Sequence, residues 1–314
     1  MSFLVKIWFL SLSLFNIVLC AKPFPICFGI PESKIVATVP KKTRAFAKLI
    51  PGNTATYIYD DERSYYQGYQ ESYYGFTWKK GGWDCMRHYE ILASGCIPYF
   101  PDLKLSNLKT MFRLPRELIT EAMRLKGVSH GQIDFTKFDQ RKYHELAKKL
   151  LDYTRKYLTT RSIAQYVLDT MNYSGKGKVL FLGENIILAD YMKNTVLIGL
   201  KEILQDKVID FPREDHIYTD YPGDTKALYG KGFSYAKTVY DFPVDRTNLE
   251  ERIKNKEFEL IIYGYVHRGR AFYDAVLQHY PAEKIAYLCG EDAHKCDCAH
   301  LINLFLREYE AFRV

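Results

Sequence analysis

The sequence predicts an α/β protein with two Rossmann-like parallel-sheet domains joined by a helical segment. Three observations predict it. Short β-rich runs alternate with helical patterns along most of the chain. Three apolar runs in the second half, KVLFLG, ELIIYG and KIAYLC, each end on Gly or Cys and read as strands buried on both faces. The segment NYSGKGK, residues 172–178, is a small, polar, Gly-containing break between two such regions. A length of 314 residues suits about two domains at roughly 150 residues each.

Residues 1–20, MSFLVKIWFLSLSLFNIVLC, carry one Lys and an apolar run from Ile7 to Leu19. They read as a secretory signal peptide, with an uncleaved anchor or a buried first segment as the alternatives. The run is shorter than the ~20 residues a membrane crossing needs, and no later stretch is apolar enough for one. This reading makes the protein exported: periplasmic, secreted or in a secretory lumen. Six cysteines follow the leader, Cys27, Cys85, Cys96, Cys289, Cys296 and Cys298, an even number that an exported chain can pair. HKCDCAH sets His294, Cys296, Cys298 and His300 at alternate positions. Zinc sites more often use C-x-x-C spacing, so a structural or disulfide role is expected there and no metal is assigned.

The first domain is expected over residues 21–130. KIVATV reads as a strand, KKTRAFAKLI as a helix, TYIYD as a strand, ERSYYQGYQE as a helix, YYGFTW as a strand, DCMRHYEILASG as a helix and CIPYF as a strand. Pro98 removes a ladder donor, so the last of these is short or lies at an edge or bulge. From Pro115 to about Asn172 the pattern is helical, in LPRELITEAMRL and FDQRKYHELAKKLLDYTRKYL, with 131–175 as the connector. The second domain, 176–314, alternates KVLFLG, the helix ADYMKNTVLIGLKEIL, KVIDF, a long Tyr- and Gly-containing loop, the helix NLEERIKNKE, ELIIYG, the helix AFYDAVLQHY, KIAYLC and a closing helix HLINLFLREYEAF.

Composition narrows the partners. Lys and Arg number 44 against 37 Asp and Glu, a net charge of +7 spread along the chain. That is not the footprint of a nucleic-acid binder, while anionic small ligands suit it. The 26 tyrosines supply ring faces with hydrogen-bonding tips, which suit sugar and nucleotide surfaces as well as an aromatic core.

Ligands of open parallel sheets bind beyond the carboxyl ends of the strands. There the sequence places Glu184, Asn185 and Asp190 after KVLFLG, His267 and Arg268 after ELIIYG, and Gly290, Glu291, Asp292 and His294 after KIAYLC. In YGKGFSY, Lys231 stands between Gly230 and Gly232, a turn that can bring N–H groups and an ammonium to a phosphate or carboxylate. In WKKGGWDCMRHYE, Lys79, Lys80, Gly81 and Gly82 precede a helix start, where unpaired N–H groups favour phosphate oxygens. Arg87 and Glu90 share a face of that helix. Arg87 could clamp a diphosphate and Glu90 accept from ribose or sugar hydroxyls, or the two could form an internal helix pair. His88 points to another helix face and reads as core or surface. Asp60 and Asp61 read as a helix start rather than a metal-binding pair.

RHYEILASGCIPYF, Arg87 to Phe100, resembles a segment in the C-terminal nucleotide-binding half of GT-B glycosyltransferases, and especially of exostosin-like proteins. The similarity spans about Tyr65 to Asp102. It implies a GT-B-like fold with the donor-type half first, reversing the usual order of halves. The remainder resembles the companion half of uncharacterised glycosyltransferase-like proteins. Arg87 would then contact the donor diphosphate and Glu90 the ribose or sugar, with Lys79, Lys80, Gly81, Gly82, Lys231 and Arg268 completing donor binding. His267, Glu291 or Asp292 would deprotonate an acceptor hydroxyl. Position 82 holds Gly where many retaining members carry a second Glu, eight residues before Glu90. The implied partners are a nucleotide-sugar donor and a glycan or other hydroxyl acceptor, with no cofactor. The alternative is a non-catalytic exported protein that binds glycans or nucleotides in a two-lobed cleft.

Overall fold

The computed structural model describes residues 23–183, 190–292 and 301–309. The expected leader 1–20, Glu184, Asn185 and the HKCDCAH segment lie outside the described residues. In chain order the elements are β1 (Phe24–Pro25), β2 (Arg44–Phe46), α1 (Glu62–Gln70), β3 (Ser72–Phe76), α2 (Met86–Ala93), β4 (Ile97–Tyr99), α3 (Arg116–Met123), β5 (Val128–Ser129), β6 (Gln132–Ile133), α4 (Gln140–Tyr157), α5 (Thr160–Thr170), β7 (Lys178–Leu182), α6 (Tyr191–Leu204), β8 (Val208–Phe211), α7 (Leu249–Lys254), β9 (Phe258–Tyr263), α8 (Tyr273–His279), β10 (Ile285–Cys289) and β11 (Leu304–Leu306).

Two parallel sheets organise the chain. A six-stranded sheet has the order β1-β11-β10-β9-β7-β8, a three-stranded sheet the order β2-β3-β4, and β5 and β6 form a small antiparallel pair. This is an α/β fold compatible with Rossmann-like units. In the larger sheet Val179 and Phe181 of β7 face the cluster that holds Val196, Leu197 and Leu200 of α6. Leu180 and Leu182 face the opposite cluster, with Leu249 and Ile253 of α7 and Val276 of α8. Strands covered by helices on both sides have no wet face, which is why they read as unbroken apolar runs. β4 is an edge strand, so its Pro98 removes no needed donor.

The structure revises four sequence-based elements. KIVATV and TYIYD form no strands. KKTRAFAKLI contains β2 instead of a helix, because Phe46 stacks on Phe76 at 4.7 Å and on Tyr74 at 5.4 Å along the sheet face. The expected closing helix contains β11, whose Leu304, Phe305 and Leu306 are buried in the slot between β10 and β1. β1 falls within the expected first domain, 21–130, yet it pairs with β11, with the Phe24 and Phe305 rings 5.3 Å apart.

The two sheets share one apolar core. It runs from Tyr74 and Ile97 of the small sheet through Leu146 and Leu150 of α4 to Ile262 and Leu288 of the large one. At the far side of the interface the 225–236 loop clasps α1. Ser234 N–H donates to Glu62 Oε1 at 2.7 Å, and the Tyr66 and Ser234 hydroxyls are 2.8 Å apart.

Candidate functional site

A cleft of about 720 Å³ opens between the two sheets. Its walls come from segments that follow strand ends: the 80–87 turn after β3, Tyr265 and Arg268 after β9, Gly290 to Asp292 after β10, and Arg307 after β11. In the large sheet the strand order reverses between β7 and β9, the position at which open α/β sheets form their crevice. Asp190, which starts α6, and Tyr191 line the cleft there.

Arg87 and Glu90 both line this cleft, and they do not form an internal ion pair. Arg87 Nε is buried and without a hydrogen-bond partner among the described residues, and the guanidinium's one hydrogen bond is a long contact from Nη1 to Cys85 Sγ at 3.8 Å. A buried donor left unpaired is costly, so Arg87 has the character of a group awaiting an acceptor. Glu90 is fixed independently: Oε2 accepts from the Tyr65 hydroxyl and Oε1 from Ser234 Oγ at 2.6 Å. Burial raises its carboxyl, while those two donors and the Arg87 charge oppose the rise.

The turn Lys79 to Gly82 is built differently from a phosphate cradle. A Cβ on Gly81 would overlap Asp292 Oδ2, and one on Gly82 would sit 2.6 Å from Glu308 Oε1 and 2.9 Å from Asp292 Oδ1. The N–H of Asp84, just before α2, donates to Glu308 Oε1 at 2.7 Å. The protein's own carboxylates therefore press against the backbone where a phosphate was expected. Lys80 lines the cleft, whereas Lys79 holds its ammonium 5.0 Å from the Trp83 ring, outside the lining.

Arg307 is the hub beneath this turn. It is 1% exposed, donates to Glu308 Oε1 at 3.0 Å, to the Asp84 carbonyl at 2.6 Å, to the Gly290 carbonyl at 2.8 Å and to Asp292 Oδ1, and it lies 4.6 Å over the Phe28 ring. Asp84 is buried with it and accepts from Phe28 N–H and the Tyr89 hydroxyl, both at 2.8 Å. Three acids thus crowd one guanidinium. Burial raises Asp84 and pushes Glu308 up to about 7, with Arg307 opposing both. Sequence reading missed this network because LREYE carries the spacing of a solvated helix face, and only pairing of β11 with β10 turns it inward.

The remaining expected site residues divide. Asp292 is engaged by Arg307, and Glu291 accepts from the Tyr265 hydroxyl and lies 3.6 Å from Arg268, which stacks 4.2 Å over Tyr265. His267 is outside the lining and directs Nε2 to Cys289 Sγ at 3.0 Å. Lys231 lines the cleft, but its ammonium is held by the Tyr59 carbonyl at 2.7 Å and Asp60 Oδ1 at 2.9 Å, so it ties the two halves together. Its turn takes left-handed φ from Gly230 through Gly232, which the flanking glycines accommodate. Asp190 has a sharper profile than the sequence suggested: Oδ1 caps Met192 and Lys193 N–H at 2.8 and 3.2 Å, Oδ2 is buried without a partner among the described residues, and burial raises its carboxyl.

His88 is a core group, bonded to Thr77 Oγ1 and the Trp83 carbonyl at 2.8 Å each and pushed down to about 3 by burial. Asp61 caps α1 through Ser64 N–H at 2.8 Å. Cys27, Cys85, Cys96 and Cys289 are all free thiols. Among the described residues no helix is long and apolar enough to cross a membrane, and no cluster of three His, Cys, Asp or Glu is placed to hold a metal. In comparisons with known proteins, no family model, curated protein or solved structure matches the chain.

Proposed function

We propose that the cleft binds a nucleoside-diphosphate sugar and that the chain is a glycosyltransferase-like enzyme acting on a hydroxyl acceptor. The observation that carries the reading is the unpartnered Arg87 Nε–H, one helical turn from a carboxylate that two other donors hold in place. Arg87, with Lys80 and Arg268 on the same walls, supplies positive charge to a diphosphate without a metal ion. Glu90 supplies an acceptor for ribose or sugar hydroxyls. Cleft-lining tyrosines such as Tyr57, Tyr191 and Tyr229 offer ring faces to a base or a sugar.

In the reaction the acceptor oxygen loses its proton to a base, attacks the anomeric carbon, and the bond to the diphosphate oxygen breaks. The base best suited to this is Asp190: Oδ2 is uncommitted among the described residues, and its raised affinity for a proton makes it the stronger acceptor. Arg87 and Arg268 stabilise the charge that collects on the departing diphosphate. A second reading, a binding protein without turnover, is favoured by the engagement of Glu291 by Tyr265 and of Asp292 by Arg307.

Thermal unfolding against nucleoside diphosphates and nucleotide sugars tests the proposal. A true donor at about 100 times its Kd stabilises by about 2.7 kcal/mol, or roughly 5 °C or more. Arg87→Ala should keep its ligand-free melting temperature within a few degrees and bind the donor about 10 to 100 times more weakly, the worth of a charged hydrogen bond. Ligand stabilisation that is absent, or untouched by Arg87→Ala, defeats the donor assignment. Sugar release that persists unchanged in Asp190→Asn defeats the base assignment, and tight binding with no release in the wild type selects the second reading.

A further inference from the structure

We propose that the loop after β4, residues 103–110, docks the protein onto an anionic membrane surface. Leu105 and Leu108 are 65% and 78% exposed, and Lys104 and Lys109 flank them. The leucines are not outward by looseness. Arg116 Nη1 donates to the Leu103 carbonyl at 3.1 Å and Ser106 Oγ at 2.7 Å, and Nη2 to the Asn107 carbonyl at 2.9 Å and the Thr110 carbonyl at 2.7 Å. One guanidinium thus freezes the loop with two apolar side chains turned to solvent, beside a buried Leu103 and Ser106 that anchor it.

Charge selects a bilayer as the occupant: Lys104 and Lys109 sit on this loop, and the Lys79-Lys80 turn is joined to it by Lys79 N–H to Asp102 Oδ2 at 3.3 Å. Apolar tips ringed by ammonium groups match an acyl layer beneath anionic headgroups. Lys109 Nζ lies 4.9 Å over the Tyr309 ring, which restrains one of these ammonium groups at the loop. This proposal stands apart from the donor-cleft reading and fails or survives separately.

The test is flotation of the full chain with vesicles of phosphatidylcholine alone and of phosphatidylcholine mixed with phosphatidylserine. Every variant keeps the N-terminal run, so its contribution cancels in the ratios. Binding should favour the anionic vesicles and weaken in about 1 M salt, where the screening length falls to about 3 Å. Lys104→Gln/Lys109→Gln should lower the partition coefficient about 30-fold, at about fivefold per lysine. Leu105→Ser/Leu108→Ser should lower it at least about tenfold on both vesicle types. Both variants should melt as the wild type does, because the replaced side chains are solvent-facing. Wild-type partitioning by either variant, indifference to phosphatidylserine, or concentration-dependent self-association that the leucine changes abolish would each overturn the proposal, the last by assigning the face to a second copy of the chain.

Discussion

Replacing Glu308 by Gln should change how the stability of this protein depends on pH. Glu308 is 2% exposed, and its surroundings hold two more acids, Asp84 and Asp292, around Arg307. Burial raises its carboxyl from 4.5 to about 7, against the opposing charge of Arg307 and the Asp84 N–H. An unfolded chain releases this proton near 4.5 while the native state keeps it to about 7, so between those values the native state binds more protons. The contribution is complete below about pH 4.5 and is lost as pH rises through about 7. That gap, at about 1.4 kcal/mol for each tenfold in proton affinity, comes to about 3 kcal/mol. Gln stays neutral throughout and keeps the Oε1 acceptor for Asp84 N–H and Arg307. Urea unfolding of both proteins at pH 5 and pH 8.5 isolates the effect, because titrating groups outside the Arg307 cluster cancel in the difference. Glu308→Gln should gain about 2.5 kcal/mol relative to wild type between the two conditions. A difference that does not move with pH would show that Glu308 is already ionised at pH 5 in the native state.

Two further outcomes test the frame around the site. Gly82→Ala places a Cβ 2.6 Å from Glu308 Oε1 and 2.9 Å from Asp292 Oδ1 and should cost about 1–3 kcal/mol in urea unfolding, whereas Gly183→Ala meets nothing closer than 3.6 Å among the described residues and should stay within about 0.5 kcal/mol of wild type. Lys201→Met removes the buried partner of Asp210, 3.1 Å away, and leaves Arg246 as the remaining cation on that carboxylate; a loss of about 3 kcal/mol is expected, and a loss below about 1 kcal/mol would show that Arg246 alone suffices.

The parts of the fold legible in the sequence were those whose local pattern admits one solution. KVLFLG, ELIIYG and KIAYLC are buried on both faces and stopped by Gly or Cys, and the long periodic run of α4 has its apolar positions at helical spacing. Where the pattern admitted two solutions, tertiary packing decided. Leu301, Leu304 and Phe305 fit a helix face and a buried strand alike, and the slot between β10 and β1 selected the strand. For β2, three residues beside Tyr74 and Phe76 outweighed the helical tendency of KKTRAFAKLI. Arg87 and Glu90 could be placed on one helix face from spacing alone, but not their partners. Tyr65 lies 25 residues before Glu90 and Ser234 lies 144 after it, so that bonding depends on the association of both halves. The Glu308 carboxylate behind Gly82 was illegible for the same reason, being contributed from the other end of the chain.

The pairing of β1 with β11 gives synthesis a definite order of events. Phe24 leaves the ribosome well before its sheet neighbour Phe305. The large sheet consequently stays unclosed, with β10 exposing a bare edge, until β11 has been made, and Arg307 cannot reach the cleft any sooner. A nascent chain stalled short of β11 would hold most of its helices yet lack both the seal on its sheet and the cation under its glycine turn.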